Sequence, residues 1–515
     1  MKRKVAGRIL ITCFLLCAML LPFGGQVATA ADTPDILNLS LREMRQLLDK
    51  GELTSVQIVE FYLERIAAYD KEGPNLNTIR ALNMDILNHA DAMDRELKAG
   101  RSRGPLHGIP VLLKDNIDAV GFPTTAGSLA LEHHYPTVDS PLVANLRQAG
   151  AIILGKANMT EWANFISTAM VNGYSSLGGY VLNPYGPGVF DVSGSSSGSA
   201  AAVAAGLVPV AVGTETSGSI VSPSNMNSVF GLKPSIGLVS RSGIVPISPS
   251  QDTAGPIAKN VEDLAVMLTI MQSVDANDPA TFGTAPFQKD YTTFLNKDAL
   301  KGVRIGVAIQ DVNRLLENPA NQERIDLFNK TLSELTSLGA TIVNVEMPGY
   351  SKRFEYSSRV LWYEFKPALN AYLKNTSSNV PVGSLADVIV FNAQDPLNRA
   401  RYNQAIMEDA EKLSGSLNES EYIQHRMWDR LYNRELGTDY AIKEYNVSAV
   451  LYPGNGGFIV ARAGYPSLNM PIGYLSDGTP YGMTLTGTAF TEGTLISYAY
   501  AYEQAFPHRV WPTLD

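Results

Sequence analysis

With 515 residues, 45% hydrophobic and 18% charged, the chain has the length and composition of a globular protein with a large buried core, which excludes extended disorder. Its net charge is −9, and removing the four basic residues of the first 30, a stretch without acids, leaves the remainder at −13. So acidic a chain repels phosphate backbones, and no basic run follows the N-terminus, so no nucleic-acid partner is expected.

The chain opens with Lys2, Arg3, Lys4 and Arg8, an apolar stretch from Ile9 to Leu21, and then Ala28-Thr29-Ala30. This is the pattern of a secretory signal peptide over residues 1–30, cleaved before Ala31, and it predicts a secreted or cell-envelope protein. The alternative is a retained anchor, but the apolar stretch falls short of the ~20 residues that span a bilayer. No stable membrane insertion is therefore expected after cleavage. Both cysteines, Cys13 and Cys17, lie inside this segment, which removes disulfides, thiolate nucleophiles and cysteine-ligated zinc from the mature chain. Leu16 and Thr12, the residues before them, fit lipid attachment poorly.

Two helix starts follow, Ser40-Leu41-Arg42-Glu43 and Thr54-Ser55-Val56-Gln57, each a capping box. The second leads into Ile58, Val59, Phe61, Tyr62, Leu63 and Ile66, one apolar helical face. A third helix is predicted from Met84 to Ala99. Short apolar runs bounded by Gly or Pro predict buried strands at Val111–Leu113, Ala151–Leu154 and Val208–Val212. Strand, helix and strand then recur at Val303–Val307, Asn321–Leu338 and Thr341–Val345. The chain reads as α/β, with a mostly helical insert over about residues 350–445 and no linker or repeat dividing it.

The chemistry concentrates in two Ser/Gly loops, Ser193-Gly194-Ser195-Ser196-Ser197-Gly198-Ser199 and Gly213-Thr214-Glu215-Thr216-Ser217-Gly218-Ser219, joined by the small apolar run 200–212. Small residues let the backbone turn sharply and bring its N–H groups against a substrate, while serine supplies a hydroxyl that attacks or relays a proton. Upstream, Gly108-Ile109-Pro110-Val111-Leu112-Leu113-Lys114-Asp115-Asn116 ends an apolar run on a lysine.

Taken together, Lys114, Ser195 and Ser219 resemble the Ser-Ser-Lys triad of the amidase signature family, whose two active serines share the 24-residue separation found here. Lys156-Ala157-Asn158-Met159-Thr160-Glu161, Asn183-Pro184-Tyr185, Gly231-Leu232-Lys233-Pro234, Asp252-Thr253-Ala254-Gly255-Pro256 and Ala463-Gly464-Tyr465-Pro466 also look like family segments, extending the resemblance from Leu39 to Ala505. It implies a single large α/β domain, residues 31–515, with a central mixed β-sheet flanked by helices. It further implies Ser219 as nucleophile, Ser195 as bridging serine behind a cis peptide bond, and Lys114 as general base. The backbone N–H groups of Thr216, Ser217, Gly218 and Ser219 become the oxyanion hole. No cofactor or metal is implied.

Lys114 acts as a base only when neutral, so its pKa must fall from ~10.4 by ~3 units, and the apolar run before it supplies the burial. A carboxylate facing the amine would hold it charged, so Asp115 is expected to point away. Two positions depart from the commonest family pattern: Glu215 stands in the acidic position, and Val221 replaces the arginine that would pair with it. This variant, with Gly237-Leu238-Val239-Ser240-Arg241-Ser242-Gly243-Ile244-Val245-Pro246-Ile247-Ser248 after it, looks most like the bacterial peptide amidase branch.

Rival readings remain to be separated. Gly194-Ser195-Ser196-Ser197-Gly198 formally fits the α/β-hydrolase elbow with Ser196 as nucleophile, which needs His425 or His508 as partner. His133-His134 make no paired-ligand motif, and no Gly-Lys-Ser/Thr supports a phosphate loop. A glutamine-hydrolysing component of a tRNA-dependent amidotransferase shares the signature, and so would an inactive envelope-binding protein on the same fold. The resemblance implies an amidase that takes small-molecule or peptide amides and releases ammonia, and the N-terminal signal pattern makes it a secreted one. Trp362, Tyr363, Phe365, Phe391 and Trp428 in the insert are weighed as an acyl-pocket lining against plain core packing.

Overall fold

The computed structural model describes residues 34–355, 358–456 and 459–514. The segment read as a signal peptide, with Cys13, Cys17 and the expected cleavage site before Ala31, lies outside the described residues. Residues 36–515 form one compact unit.

Its strands, in chain order, are β1 (Ile79–Leu82), β2 (Pro110–Lys114), β3 (Ile152–Ala157), β4 (Tyr174–Ser175), β5 (Gly179–Tyr180), β6 (Val210–Glu215), β7 (Phe230–Lys233), β8 (Thr253–Ala258), β9 (Arg304–Ala308), β10 (Thr341–Val345), β11 (Ala449–Pro453), β12 (Ser467–Tyr474) and β13 (Pro480–Thr486). Among the described residues, eleven of them make one mixed sheet in the order β1-β3-β2-β6-β8-β7-β12-β13-β11-β9-β10, and β4 with β5 form a separate ribbon. The middle strands are buried along their whole length because helices cover both faces, so they read as continuous apolar runs rather than alternating ones. β2 runs parallel to β3 and β6, with Leu113 opposite Val212, and this register brings the C-terminal ends of β2 and β6 side by side.

Both capping boxes form, at Ser40 with Glu43 and at Thr54 with Gln57, and start helices Leu41–Lys50 and Ser55–Arg65. Each such cap contributes about 1 kcal/mol. The third helix runs Ile86–Lys98 rather than from Met84, whose side chain is 93% exposed and outside it. The strands predicted to end at Leu154 and Val212 continue to Ala157 and Glu215. Their polar residues Lys156, Thr214 and Glu215 are buried, and each finds a hydrogen-bond partner inside. The signal that ended the predicted strands, a turn to polar side chains, is here the start of the site.

Helix Ser197–Ala204 (SGSAAAVA) is buried along its length. Only residues of this size let a helix lie so close to the strands beneath it. Between β10 and β11 the described elements are all helical, and a second apolar core joins this region to the sheet domain: Phe365, Leu369, Leu385 and Met407 pack with Trp162, Phe165 and Val245.

Candidate active site

Successive side chains of a strand point to opposite faces, and at the end of β2 this separates Lys114 from Asp115. Both are buried. Lys114 Nζ lies 2.8 Å from Ser195 Oγ, 2.9 Å from Thr214 Oγ1 and 3.1 Å from the Thr214 carbonyl oxygen. Asp115 faces the other way, into an ion pair with Arg80, a bond from the Thr125 hydroxyl, and Lys156 Nζ at 3.5 Å. The expectation that Asp115 turns from the amine therefore holds, and the charges that favour the protonated amine are the carboxylates of Glu215 and Asp252. Burial outweighs their attraction and brings the Lys114 pKa down to about 7.

Thr214 was not singled out in the sequence, yet it braces the amine. Its hydroxyl also accepts from Asn116 Nδ2 at 3.0 Å, so two residues of the Lys114 strand end and one of β6 form a single network. The signal was available in the pairing of β2 with β6, which sets Thr214 beside Lys114, but strand pairing is not legible in one sequence.

Ser195 is fully buried, its preceding peptide bond is cis, and its carbonyl accepts from the Thr160 N–H at 3.1 Å. Gly194 admits no side chain, because a Cβ there would stand 2.4 Å from Thr160 Oγ1. Ser196 N–H donates to the carbonyl of Ser219 at 3.2 Å, tying the two serine loops together through the backbone. The Ser196 hydroxyl is turned inward, donating to the Thr214 carbonyl at 3.0 Å and accepting from the Thr214 N–H at 3.2 Å. It is thus a structural clamp. The histidines that the elbow reading would need are used elsewhere: His425 Nδ1 accepts from the Arg359 N–H, and His508 Nε2 pairs with Glu334.

Residues 216–219 lead from β6 into the helix Val221–Met226. Gly218 has φ +94°, a conformation that side-chain-bearing residues rarely adopt, and its carbonyl accepts from the Ser222 N–H at 2.8 Å. Glu215 lacks the arginine of the commoner pattern and finds backbone partners instead: its Oε2 accepts from Ile220 N–H at 2.8 Å and Val221 N–H at 3.0 Å. The acid therefore fixes the backbone immediately after Ser219. Thr216 is held from the other side by its hydroxyl bond to Asp252, whose carboxylate also accepts from the Ile247 and Ser248 N–H groups and whose pKa burial raises to about 6.

Two cavities flank this segment. One, of about 640 Å3, is lined by Ser193, Gly194, Ser217 and Gly218 and bordered by Asn172, Asp191, Asn225, Arg314 and Arg462. The other, of about 440 Å3, reaches Thr214, Glu215 and Thr216 with Asn116, Tyr372 and the Arg241–Asp278 ion pair. The five aromatic residues weighed as a pocket lining are absent from both linings. Phe365 and Trp362 pack on Phe165 with centroids 4.9 and 5.2 Å apart, Tyr363 donates to Glu421, Phe391 lies under the Arg399 guanidinium, and Trp428 packs on His425. The helix that carries Trp362 contributes Ala368, Ala371 and Tyr372 instead, from its opposite face.

The amidase family model matches residues 57–454. A peptide amidase from Stenotrophomonas maltophilia superposes with a TM-score of 0.86 at 42% identity, covering 93% of this chain and 99% of that one. A probable amidase of Arabidopsis thaliana is 38% identical over 488 residues, 92% of this chain and 91% of the relative. A glutamyl-tRNA(Gln) amidotransferase component from Rippkaea orientalis is 32% identical over 500 residues, 90% of this chain and 97% of that protein.

Proposed function

Because the chain belongs to the amidase family and is a hydrolase of amide C–N bonds, we propose that it releases ammonia from peptide C-terminal amides or small acyl amides outside the cytoplasm, using Lys114, Ser195 and Ser219. The observation that carries this reading is the buried Lys114 amine, 2.8 Å from Ser195 Oγ, with the carboxylate adjacent to it in sequence, Asp115, turned to the opposite face. An amine with a pKa of about 7 is half neutral at neutral pH and takes a proton without a histidine.

In the proposed cycle Ser219 Oγ attacks the amide carbonyl carbon while its proton passes to Ser195 Oγ, and the Ser195 proton passes to Lys114 Nζ. The negative charge gathers on the former carbonyl oxygen, where backbone N–H groups of residues 216–219 receive it; donors of this kind are commonly worth ~3–4 kcal/mol of barrier each. Collapse breaks the C–N bond as the proton returns along Lys114 and Ser195 to the leaving nitrogen, so ammonia departs neutral. Water then attacks the Ser219 ester, gives its proton to the same relay, and frees the acid. Thr214 and Asn116 hold the amine in line throughout, and Glu215 holds the backbone that presents Ser219.

The likeness to the amidotransferase component supports a second reading, in which glutamine is the amide hydrolysed. Ammonia release from amidated peptides, simple acyl amides and glutamine separates the two. Release from peptide and acyl amides supports the first reading. Release from glutamine alone refutes it. Activity recovered from the culture medium or envelope fraction, rather than the cytoplasm, tests the localisation.

A further inference from the structure

The 640 Å3 cleft that borders Gly194, Ser217 and Gly218 does not end at the serine loops. A further cavity of about 240 Å3 shares Asn225, Asp311, Arg314 and Asn455 with it, so the two form one groove running from the reactive serines toward Tyr481 and Arg324. A space of this size takes more than one amino-acid residue, and its walls mix apolar side chains, Met226, Leu315 and Tyr481, with amide and charged groups, Asn225, Asn455, Arg314 and Arg324, as a peptide's side chains and backbone require.

The charges along the groove are unequally committed. Arg314 sits 4.0 Å from Asp311, Arg462 is 3.8 Å from Asp429, and Asp191 accepts from Asn172 Nδ2 and the Ser193 N–H. Arg324, at the far end, differs. Its guanidinium donates to the neutral carboxamide oxygen of Asn321 at 3.0 Å, and among the described residues it forms no ion pair. The acids around it are engaged elsewhere: Glu323 accepts from Ser476, Asp326 from Gln322, and Asp477 from the Thr479 N–H, with Arg324 adding only a longer-range pull on Asp477. A partly buried guanidinium beside an open groove, with its fork unused by carboxylate, is a ready receiver for one.

We infer that Arg324 selects amidated peptides carrying an acidic side chain upstream of the amidated residue. The inference rests on the peptide-amide reading of the site. Substrate would lie with its C-terminal amide at Ser219 and its chain along the groove, and the acid would complete the ion pair that the free protein leaves unmade. Arg324 is on this view a specificity residue, distant from the reacting atoms.

The test is ammonia release from acetylated tetrapeptide amides with Glu, Gln or Lys placed in turn at the second, third and fourth positions from the amide. At one position Glu is expected to exceed Gln in kcat/KM by roughly three- to tenfold, with the gain in KM, and Lys to fall below Gln. The preference should shrink at high salt and vanish in Arg324→Gln, while that variant keeps wild-type turnover on an acetyl amino-acid amide too short to reach it. Arg324→Lys should retain part of the preference. Equal rates for Glu and Gln at all three positions, or an acid preference that survives Arg324→Gln, would overturn the role of Arg324 and leave the peptide-amide reading standing. No ammonia from any tetrapeptide amide, with simple acyl amides still cleaved, would overturn both.

Discussion

Replacing Lys114 by methionine removes an amine that folding must strip of its water. In the unfolded chain this group titrates near 10.5, and in the folded protein burial lowers it to about 7. Between these values the unfolded state binds more protons, so the stability of the native protein rises with pH across the window. Below pH 7 the penalty is complete, and the fall from 10.5 to about 7, at ~1.36 kcal/mol per pH unit, amounts to about 5 kcal/mol. Methionine fills a similar volume but forfeits the contacts to Ser195 and Thr214, about 1 kcal/mol apiece. The Thr214 carbonyl keeps its bond from Ser196 and the Thr214 hydroxyl its bond from Asn116, so neither is orphaned. The net expectation is a variant about 2–3 kcal/mol more stable at pH 6, which for a chain of this size raises the melting temperature by roughly 2–3 °C. Paired melts of wild type and Lys114→Met at pH 6, 8 and 10 should show the gain declining and then reversing, since above 10.5 only the lost hydrogen bonds remain. Ammonia release should fall by at least ~10³-fold. A stability difference that does not change with pH, or a variant that still turns over, would refute the assignment of a neutral buried base.

Other substitutions divide chemistry from architecture. In the wild type kcat/KM should rise with pH through about 7 and level above it, because the base works deprotonated; a profile flat from pH 5 to 9 would contradict this. Ser219→Ala should abolish measurable release, whereas Ser196→Ala should keep it within about tenfold and lose ~1–2 kcal/mol in denaturant melts, since its hydroxyl bridges the Thr214 N–H and carbonyl. Asp115→Asn leaves Arg80 and Lys156 facing a neutral group inside the protein, and a loss of about 3–5 kcal/mol is expected by urea unfolding.

The sequence was most readable where one residue type does one job. Capping boxes at Ser40 and Thr54, the apolar runs of β2 and β3, and the pairing of Ser/Gly loops with a lysine after an apolar strand all carry local signals, and the structure brings Lys114 and Ser195 into contact. What could not be read depends on which strands are neighbours. Thr214 as a brace and Asp252 as the anchor of Thr216 follow from the order of β2, β6 and β8, and Glu215 as an acceptor of the Ile220 and Val221 N–H groups follows from the turn that its loop takes. The aromatic side chains of the insert, weighed as pocket lining or core, are decided by packing for a related reason. Composition marks Trp362 and Phe365 as bulky and apolar, but only packing decides whether such a residue faces a cavity or, as here, Phe165.

The opposed directions of Lys114 and Asp115 have a bearing on how this gene can change. Surface loops tolerate insertions and deletions, and most core positions tolerate exchange for a residue of similar bulk. At the end of β2 neither freedom exists. A single codon removed within residues 110–114 would set a carboxylate against Ser195, and a single codon added would set the amine against Arg80. Every residue type needed for the reaction would still be encoded, and the reaction would be lost. Drift in this segment should therefore run through substitution alone, with its length held constant as strictly as its lysine.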